Sequence, residues 1–201
     1  MNIPEGPAQL RAKNTLRHEV RYTALTAVVG LAMGAGATLL VREGLLPLAS
    51  DPLTLGRGLF EVGVYIFLFD AYFYALHRLL HVKVLYQRIH VVHHHSTSPT
   101  LWTALAFHPV EAVLIMGFMP VAMFLIPIHF VCLVIVSLFL SGSILLAHCG
   151  VEVFPRWWHR VPLLNWYVTP GVHEAHHQRR DCNYSATLSI FDRLFGTLRH
   201  E

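Results

Sequence analysis

The sequence predicts an all-α integral membrane protein with about four transmembrane helices, plus cytosolic helices that carry a histidine-rich di-metal site. Of its 201 residues, 54% are hydrophobic and only 13% are charged. The apolar residues occur in runs of about 20, the length that a helix needs to cross the hydrocarbon core of a bilayer. The chain also contains 15 histidines, and six of these lie within positions 77–96.

Four segments are predicted to span the membrane: 22–41, 58–76, 110–126 and 128–147. The first carries no charge and would form a helix about 30 Å long. It is longer than the apolar core of a usual signal peptide, so it is interpreted as a signal anchor. The second carries Glu61 and Asp70. The last two are separated by a very short connection and are predicted to form a tight helical hairpin.

The basic residues predict the orientation of these spans. Thirteen of the 15 lysines and arginines lie in the N-terminal arm, the segment 77–109 and the C-terminal tail. With four spans, these three regions share one side of the membrane. Because lysine and arginine are enriched on the cytoplasmic side, we expect both termini and the histidines to be cytosolic. The three cysteines form no CxxC pair, which agrees with a reduced compartment.

Eight histidines recur in three groups at spacings typical of metal ligands: His77 and His81, then His90, His93 and His94, then His173, His176 and His177. Residues four apart on a helix project about 40° apart, so each group can present its imidazoles on one side. The chain must bend between the first two groups, because nine residues make two and a half helical turns, which would point His81 and His90 to opposite sides of a straight helix. Neutral imidazole binds Zn, Cu, Fe or Ni. Eight ligands exceed the number that one zinc ion takes, which predicts two metal ions.

Asp70 is a candidate partner for the outer nitrogen of a ligating imidazole. A carboxylate within a span is costly unless it faces the protein interior and finds a partner, and ligating histidines commonly donate to carboxylates. Two helical turns separate Asp70 from His77, so the imidazole would come from another helix. Tyr74 extends the same side of the helix. A hydrogen bond to a tyrosine or to backbone between helices explains Asp70 equally well.

Two other functions remain open from the residues alone. HEAHH at 173–177 also matches the HExxH zinc-protease signature, in which Glu174 would activate water between the ligands His173 and His177. This interpretation leaves the upstream histidines without a role. A histidine-rich metal transporter or metal-binding membrane protein is the second alternative. It predicts polar residues throughout the spans, which offer few beyond Glu61, Asp70 and Glu111.

Several motifs occur in the order seen in the fatty acid hydroxylase/sterol desaturase superfamily: DAYFYALHRLLH, LYQRIHVVHHHSTSPT, FHPVEAVL, HCGVE, HEAHHQRRDCNYS and IFDRLFGT. The chain resembles this family from about residue 62 to 199. The resemblance implies a membrane-bound, O₂-dependent oxidoreductase that hydroxylates, or desaturates, a C–H bond of a lipid such as a fatty acyl chain or a sterol-like lipid. The residues themselves predict a basic cytosolic arm at 1–21, partly helical from Gln9 to Arg21, and a first transmembrane helix and loop at 22–57. The resemblance applies to the catalytic domain predicted at 58–201.

Carried over motif by motif, the resemblance implies nine metal ligands: His77, His81, His90, His93, His94, His148, His173, His176 and His177. Some relatives have a further histidine four residues after His148, where this chain has Glu152. Glu152 therefore either ligates a metal or leaves a coordination position open. The candidates for a supporting role next to the ligands are Asp70, Tyr74, Glu152 and Asn183. Whether His108 and Glu111, at the predicted start of the third span, belong to the site stays open.

The resemblance also implies cofactors and partners. The cofactors are two iron ions, which zinc could replace in purified protein, with O₂ as co-substrate. The partners are a lipid substrate, the membrane and an external electron-donor protein, because the sequence shows no haem domain, Cys₄ cluster or GxGxxG motif. No nucleic acid is expected as a partner.

Overall fold

The computed structural model describes the backbone of residues 7–199 and the side chains of residues 15–199. It contains seven α-helices: α1 (Pro7–Arg42), α2 (Leu55–Leu80), α3 (Lys83–Arg88), α4 (Pro109–Leu125), α5 (Phe130–Ala147), α6 (Pro170–Arg179) and α7 (Ile190–Leu194). Short 3₁₀ segments lie at His90–His95, Thr103–Leu105, Trp158–Arg160 and Leu164–Trp166. Within the described residues, β pairing is limited to two isolated bridges. The prediction of an all-α fold is confirmed.

In the described part of the chain, three helices are long and apolar enough to cross a membrane: α1 from Thr15 onward, α2 and α5. Helix α4 has 17 residues and is also apolar. Its length of about 26 Å approaches the thickness of the hydrocarbon core. These four helices correspond to the four predicted spans. The connection between α4 and α5, residues 126–129, is as short as predicted, but both helices pack against α2 rather than closely against each other, so the predicted tight hairpin is not observed. The chain is therefore an integral membrane protein.

Helix α1 is longer than the first predicted span. It runs without interruption from Pro7 to Arg42, so the described part of the predicted arm at 1–21 continues directly into the span. Residues 1–6 of that arm lie outside the described residues. The predicted division of the chain into three regions at residues 21 and 57 stays a prediction.

Helix α2 is the central element of the bundle and packs against α4, α5 and α7. Tyr65 and Phe69 of α2 are buried, and Phe69 meets Phe118 of α4 edge to face with 5.3 Å between the ring centroids. The contact of α1 with α4 is close, because a Cβ added at Gly30 would lie 3.4 Å from the side chain of Met116. The helices thus form one bundle around α2.

A polar cluster joins the start of α2 to the connection between α4 and α5, at the end of the bundle opposite the predicted histidine ligands. The buried Glu61 accepts hydrogen bonds from Arg57 Nε (2.7 Å), from the backbone N–H of His129 (3.0 Å) and from His129 Nδ1 (2.8 Å). Arg57 also pairs with Asp51 at 3.0 Å. Glu61 therefore has partners that satisfy both of its oxygens, as a carboxylate within a span requires.

Candidate metal centre

The histidines predicted as ligands all lie at the end of the bundle where α2 and α5 terminate. His77 lies in the last turn of α2 and His81 is its C-terminal capping residue. His148 directly follows α5, and the remaining ligands come from the 3₁₀ segment after α3 and from α6. The expected bend between His81 and His90 is made by the end of α2 and the short α3. Four separate elements therefore contribute imidazoles to one region.

The structure brings these nine histidines together as two groups. The five-histidine group comprises His77, His81, His90, His94 and His176, and the four-histidine group comprises His93, His148, His173 and His177. Neighbours in the sequence separate, since His93 and His94 belong to different groups and so do His176 and His177. Helix α6 therefore lies between the groups and contributes to both. The 3₁₀ segment His90–His95 likewise contributes histidines to both groups.

The nitrogen atoms within each group are spaced as ligands of one ion would be. All candidate ligand atoms of a group lie within 4.8 Å of one another. In the five-histidine group, His77 Nε2 lies 3.0 Å from His90 Nε2. In the four-histidine group, His173 Nε2 lies 2.9 Å from His148 Nε2. Metal–nitrogen bonds of about 2.0–2.1 Å place two ligating nitrogens about 3–4 Å apart. Two ions, one in each group, fit this donor set.

Hydrogen bonds to the outer nitrogens orient most of these rings. Four Nδ1–H groups donate to backbone carbonyls: His77 to Tyr184 (2.8 Å), His148 to Ile144 (2.8 Å), His176 to Cys182 (2.6 Å) and His177 to Ser96 (3.0 Å). Because Nδ1 carries the proton, Nε2 carries the lone pair that faces the group. Bonds of this kind fix the tautomer of metal-ligating histidines.

A carboxylate holds a fifth ring. Glu111, in the first turn of α4, accepts a hydrogen bond from His90 Nδ1 at 2.7 Å. It is 1% exposed, and among the described residues its second oxygen, Oε2, has no hydrogen-bond partner. The sequence left the role of Glu111 open. The rule that singled out Asp70, that a carboxylate in a span needs an internal partner, applies to Glu111 as well.

Burial keeps the imidazoles outside the spans neutral, which is the form that binds metal. Loss of hydration lowers the pKa of His148 to about 4 and that of His90 to about 3. Burial, with repulsion by His77 and His90, lowers the pKa of His81 to about 2. Among the described residues His81 Nε2 is buried without a hydrogen-bond partner. A buried, unpartnered lone pair is costly, and a metal ion would satisfy it.

Asp70 binds Thr187 and Leu188 rather than the outer nitrogen of an imidazole. Its carboxylate accepts hydrogen bonds from the backbone N–H of Thr187 (2.9 Å), the Thr187 hydroxyl (2.7 Å) and the backbone N–H of Leu188 (2.9 Å). Asp70 therefore fastens the segment before α7 to the middle of α2. Of the two explanations that the sequence allowed, the bond to backbone between elements is the one observed.

The other three supporting candidates also form hydrogen bonds to backbone or to a hydroxyl group rather than to the candidate metal ligands. Glu152 accepts from the backbone N–H groups of Phe154 (2.8 Å) and Gly171 (3.0 Å), so its carboxylate lies at the start of α6. The Asn183 side chain binds the C-terminal segment, because its amide donates to the Arg199 carbonyl and accepts from the Arg199 backbone N–H. Tyr74 bonds to Thr197 at 3.1 Å. Both oxygens of Glu152 are occupied, which favours the alternative in which it is not a ligand.

An enclosed cavity of about 20 Å³ lies beside both groups. Its apolar wall comes from α2, α5 and two loops: Phe73, Phe107, Ile144, Ala147 and Ala186. Five of the candidate ligands and Glu111 complete the lining. A volume of this size holds about one water molecule. A larger molecule must displace lining side chains in order to reach the imidazoles.

A family model described as fatty acid hydroxylase matches residues 62–197, which include all nine histidines. The chain belongs to the fatty acid hydroxylase family. This confirms the resemblance found in the sequence. In this fatty acid hydroxylase family member, the region matched by the family model runs from the third turn of α2 to the residues after α7. Helix α1 lies outside the matched region.

Relatives of this fatty acid hydroxylase family member include named lipid enzymes. It is 28% identical to lathosterol oxidase of Homo sapiens over 94% of the chain and 62% of the relative. It is 38% identical to methylsterol monooxygenase 1 of Gallus gallus over 64% of the chain and 42% of the relative. It is 32% identical to very-long-chain aldehyde decarbonylase GL1-1 of Oryza sativa subsp. indica over 63% of the chain and 21% of the relative. The chain thus spans less than two thirds of the length of each. No solved structure gives a significant match.

Proposed function

We propose that this chain holds two iron ions in its two histidine groups and catalyses the O₂-dependent hydroxylation or desaturation of a lipid C–H bond. Hydroxylation is the preferred reaction. The substrate proposed is a sterol-like lipid or a fatty acyl chain, in keeping with the printed names of the relatives. When bound, a pair of iron ions supplies the activation of O₂ and the removal of hydrogen from an unactivated C–H bond.

The observation that carries this proposal is the position of the two imidazole groups. They lie at the ends of membrane helices and share a small cavity whose remaining wall is apolar apart from Glu111. A lipid tail can approach such a site from the bilayer, while a water-soluble donor meets it from the aqueous side. In this proposal the apolar side chains of Phe73, Phe107 and Ile144 contact the lipid carbon, which displaces water from the cavity. The carbonyl and carboxylate contacts hold the rings in place, so that the reacting atoms keep their alignment.

The same geometry supports a topology and a partner. The histidine groups, the termini and 13 of the 15 lysines and arginines belong to one side in a four-span arrangement. Since lysine and arginine are enriched on the cytoplasmic side, we place the metal centre in the cytosol. Electrons come from a separate donor protein in this proposal.

The structure favours the oxygenase over the two alternatives. A zinc protease needs an open coordination position for water, whereas His93 and His148 complete a set of four imidazoles around His173 and His177. Glu174, its required base, hydrogen-bonds to Gln178 on the partly exposed side of α6. A transporter needs polar residues along a path. The carboxylates of Glu61 and Asp70 are instead held by several hydrogen bonds each.

The test is mass spectrometry of lipids from cells that express the intact chain and from matched cells that express His176→Ala. We expect a lipid that has gained one oxygen atom, or lost two hydrogen atoms, only with the intact chain under air. Growth without O₂ is the second control, because the reaction consumes O₂. An identical lipid profile with intact protein and variant, in cells supplied with iron and sterol or fatty acyl precursors, would contradict the proposal.

A further inference from the structure

Helix α1 lies outside the region that the family model matches, yet it contacts the chain next to the histidines. Four of its side chains form hydrogen bonds with residues 92–107. Three of them donate to backbone carbonyls: His18 Nε2 to Val92 (3.1 Å), Thr23 Oγ1 to Trp102 (2.8 Å) and Thr26 Oγ1 to Phe107 (3.4 Å). The fourth, Glu19, accepts from Thr100 and Thr103. Glu19, Thr23 and Thr26 follow the spacing i, i+4, i+7, so they share one face of α1. This face binds the whole segment between the second histidine motif and α4.

Glu19 makes the most specific of these contacts. Its side chain is 2% exposed. Oε2 accepts from the Thr100 hydroxyl and Oε1 from the Thr103 hydroxyl, both at 2.8 Å. A buried carboxylate is tolerated only when its oxygens are satisfied. The two threonines provide this, so Glu19 holds the turn at 100–103 against α1 in one register.

The segment held by α1 carries two supports of the four-histidine group. The Ser96 carbonyl accepts the hydrogen bond from His177 Nδ1 at 3.0 Å. The ring of Phe107 stacks on His93, with 4.9 Å between centroids and an interplanar angle of 25°. His77 and His176 of the five-histidine group are instead oriented by the carbonyls of Tyr184 and Cys182. The segment 96–107 therefore supports the two groups unequally.

We infer that Glu19 is a positioning residue for the four-histidine group, acting through Thr100 and Thr103 on the segment that orients His93 and His177. The inference rests on the proposed two-metal site. Helix α1 thus belongs to the metal centre as a structural clamp, in addition to being a membrane span. Releasing Glu19 frees the segment 96–107 and loosens two of the four imidazoles in that group. The five-histidine group keeps its supports.

The test compares metal retention in full-length protein reconstituted in lipid nanodiscs. Wild type, Glu19→Leu, Glu19→Gln and Glu43→Leu are loaded with Fe²⁺ without O₂, dialysed against a graded chelator and measured for iron per chain. Glu43 is the matched control, since it is exposed just beyond the other end of α1. Thr100→Val is an independent variant that removes a hydroxyl from the partner side of the same contact.

We expect Glu19→Leu and Thr100→Val to release one of the two ions at about tenfold lower chelator concentration, the usual effect of losing an outer support. The second ion stays as in wild type. Glu19→Gln retains both ions, because its amide can accept from one threonine hydroxyl and donate to the other. Glu43→Leu also behaves as wild type.

Several results would overturn the inference. They are wild-type retention in both Glu19→Leu and Thr100→Val, equal weakening of both ions in either variant, or the same effect in Glu43→Leu. If Glu19→Leu does not fold, Thr100→Val alone decides. A wild-type protein that holds fewer than two ions would contradict the proposed metal site itself. The two failures are therefore distinguishable.

Discussion

Glu111→Ala provides a direct test of how the five-histidine group is held. Glu111 Oε1 is the acceptor for His90 Nδ1 at 2.7 Å, and both side chains are 2% exposed. The substitution leaves a buried N–H donor without an acceptor, which costs about 1–3 kcal/mol. His90 is then free to turn or to change tautomer. We expect the affinity of the five-histidine group for metal to fall about 10- to 100-fold, the range typical for loss of an outer partner.

The assay is competition between the protein and a chelator for Fe²⁺ or Co²⁺, with two binding steps resolved. Glu111→Ala weakens the step that belongs to the five-histidine group and leaves the other unchanged. Glu111→Gln retains an acceptor oxygen and loses less affinity. Glu174→Gln is the control, because Glu174 is partly exposed and bonds to Gln178 on its own helix. Unchanged affinity in both steps for Glu111→Ala would refute the role assigned to this contact.

Three further outcomes follow from the same contacts. His93→Ala removes a ligand of the four-histidine group, so metal analysis should show loss of one ion and lipid analysis loss of the product; a fully loaded, active variant would remove His93 from the ligand set. Glu152→Ala should retain both metal ions in metal analysis, because the Glu152 carboxylate bonds to Phe154 and Gly171; loss of an ion would restore Glu152 as a ligand. The hydrogen bonds of His129 to the Asp51 carbonyl and to Glu61 raise the pKa of His129 above the ordinary value of 6.5. The protonated imidazole therefore stabilises the folded state fully below pH 6.5, and this contribution is lost as the pH rises through the raised pKa. Thermal unfolding should therefore show wild type losing stability with rising pH over this window and His129→Gln losing less; parallel curves would contradict this.

The fold class was accessible from the sequence because membrane spans are a local property. Each of the four predicted segments is long and apolar by itself, and each corresponds to a helix whose ends lie within a few residues of the prediction, apart from α1. The extension of α1 agrees with the helix predicted from Gln9 to Arg21, but the sequence did not show that this helix and the span are continuous. Its first described turns carry charged residues that the hydropathy of a span does not include.

The identity of the candidate ligands was also local, since their spacing and the family motifs mark them. Their division into two groups was not accessible. His93 and His94 are adjacent in the chain, and only the placement of the 3₁₀ segment between α2 and α6 sends them to different groups. The supporting contacts were missed for the same reason. A backbone carbonyl such as that of Tyr184 has no sequence signature, and Asp70 and Glu111 look alike as carboxylates in spans.

By itself, the sequence of this protein determined that it is a membrane protein, which segments form its apolar helices and which imidazoles are candidates for binding metal. The length of an apolar run and the spacing of residues along a helix are local properties, so the sequence alone reveals them. Only the tertiary structure decided which carboxylate contacts an imidazole, which histidines lie in the same group and that α1 contacts the segment beside them. These contacts join residues more than 20 positions apart, and their partners are chosen by how the helices pack.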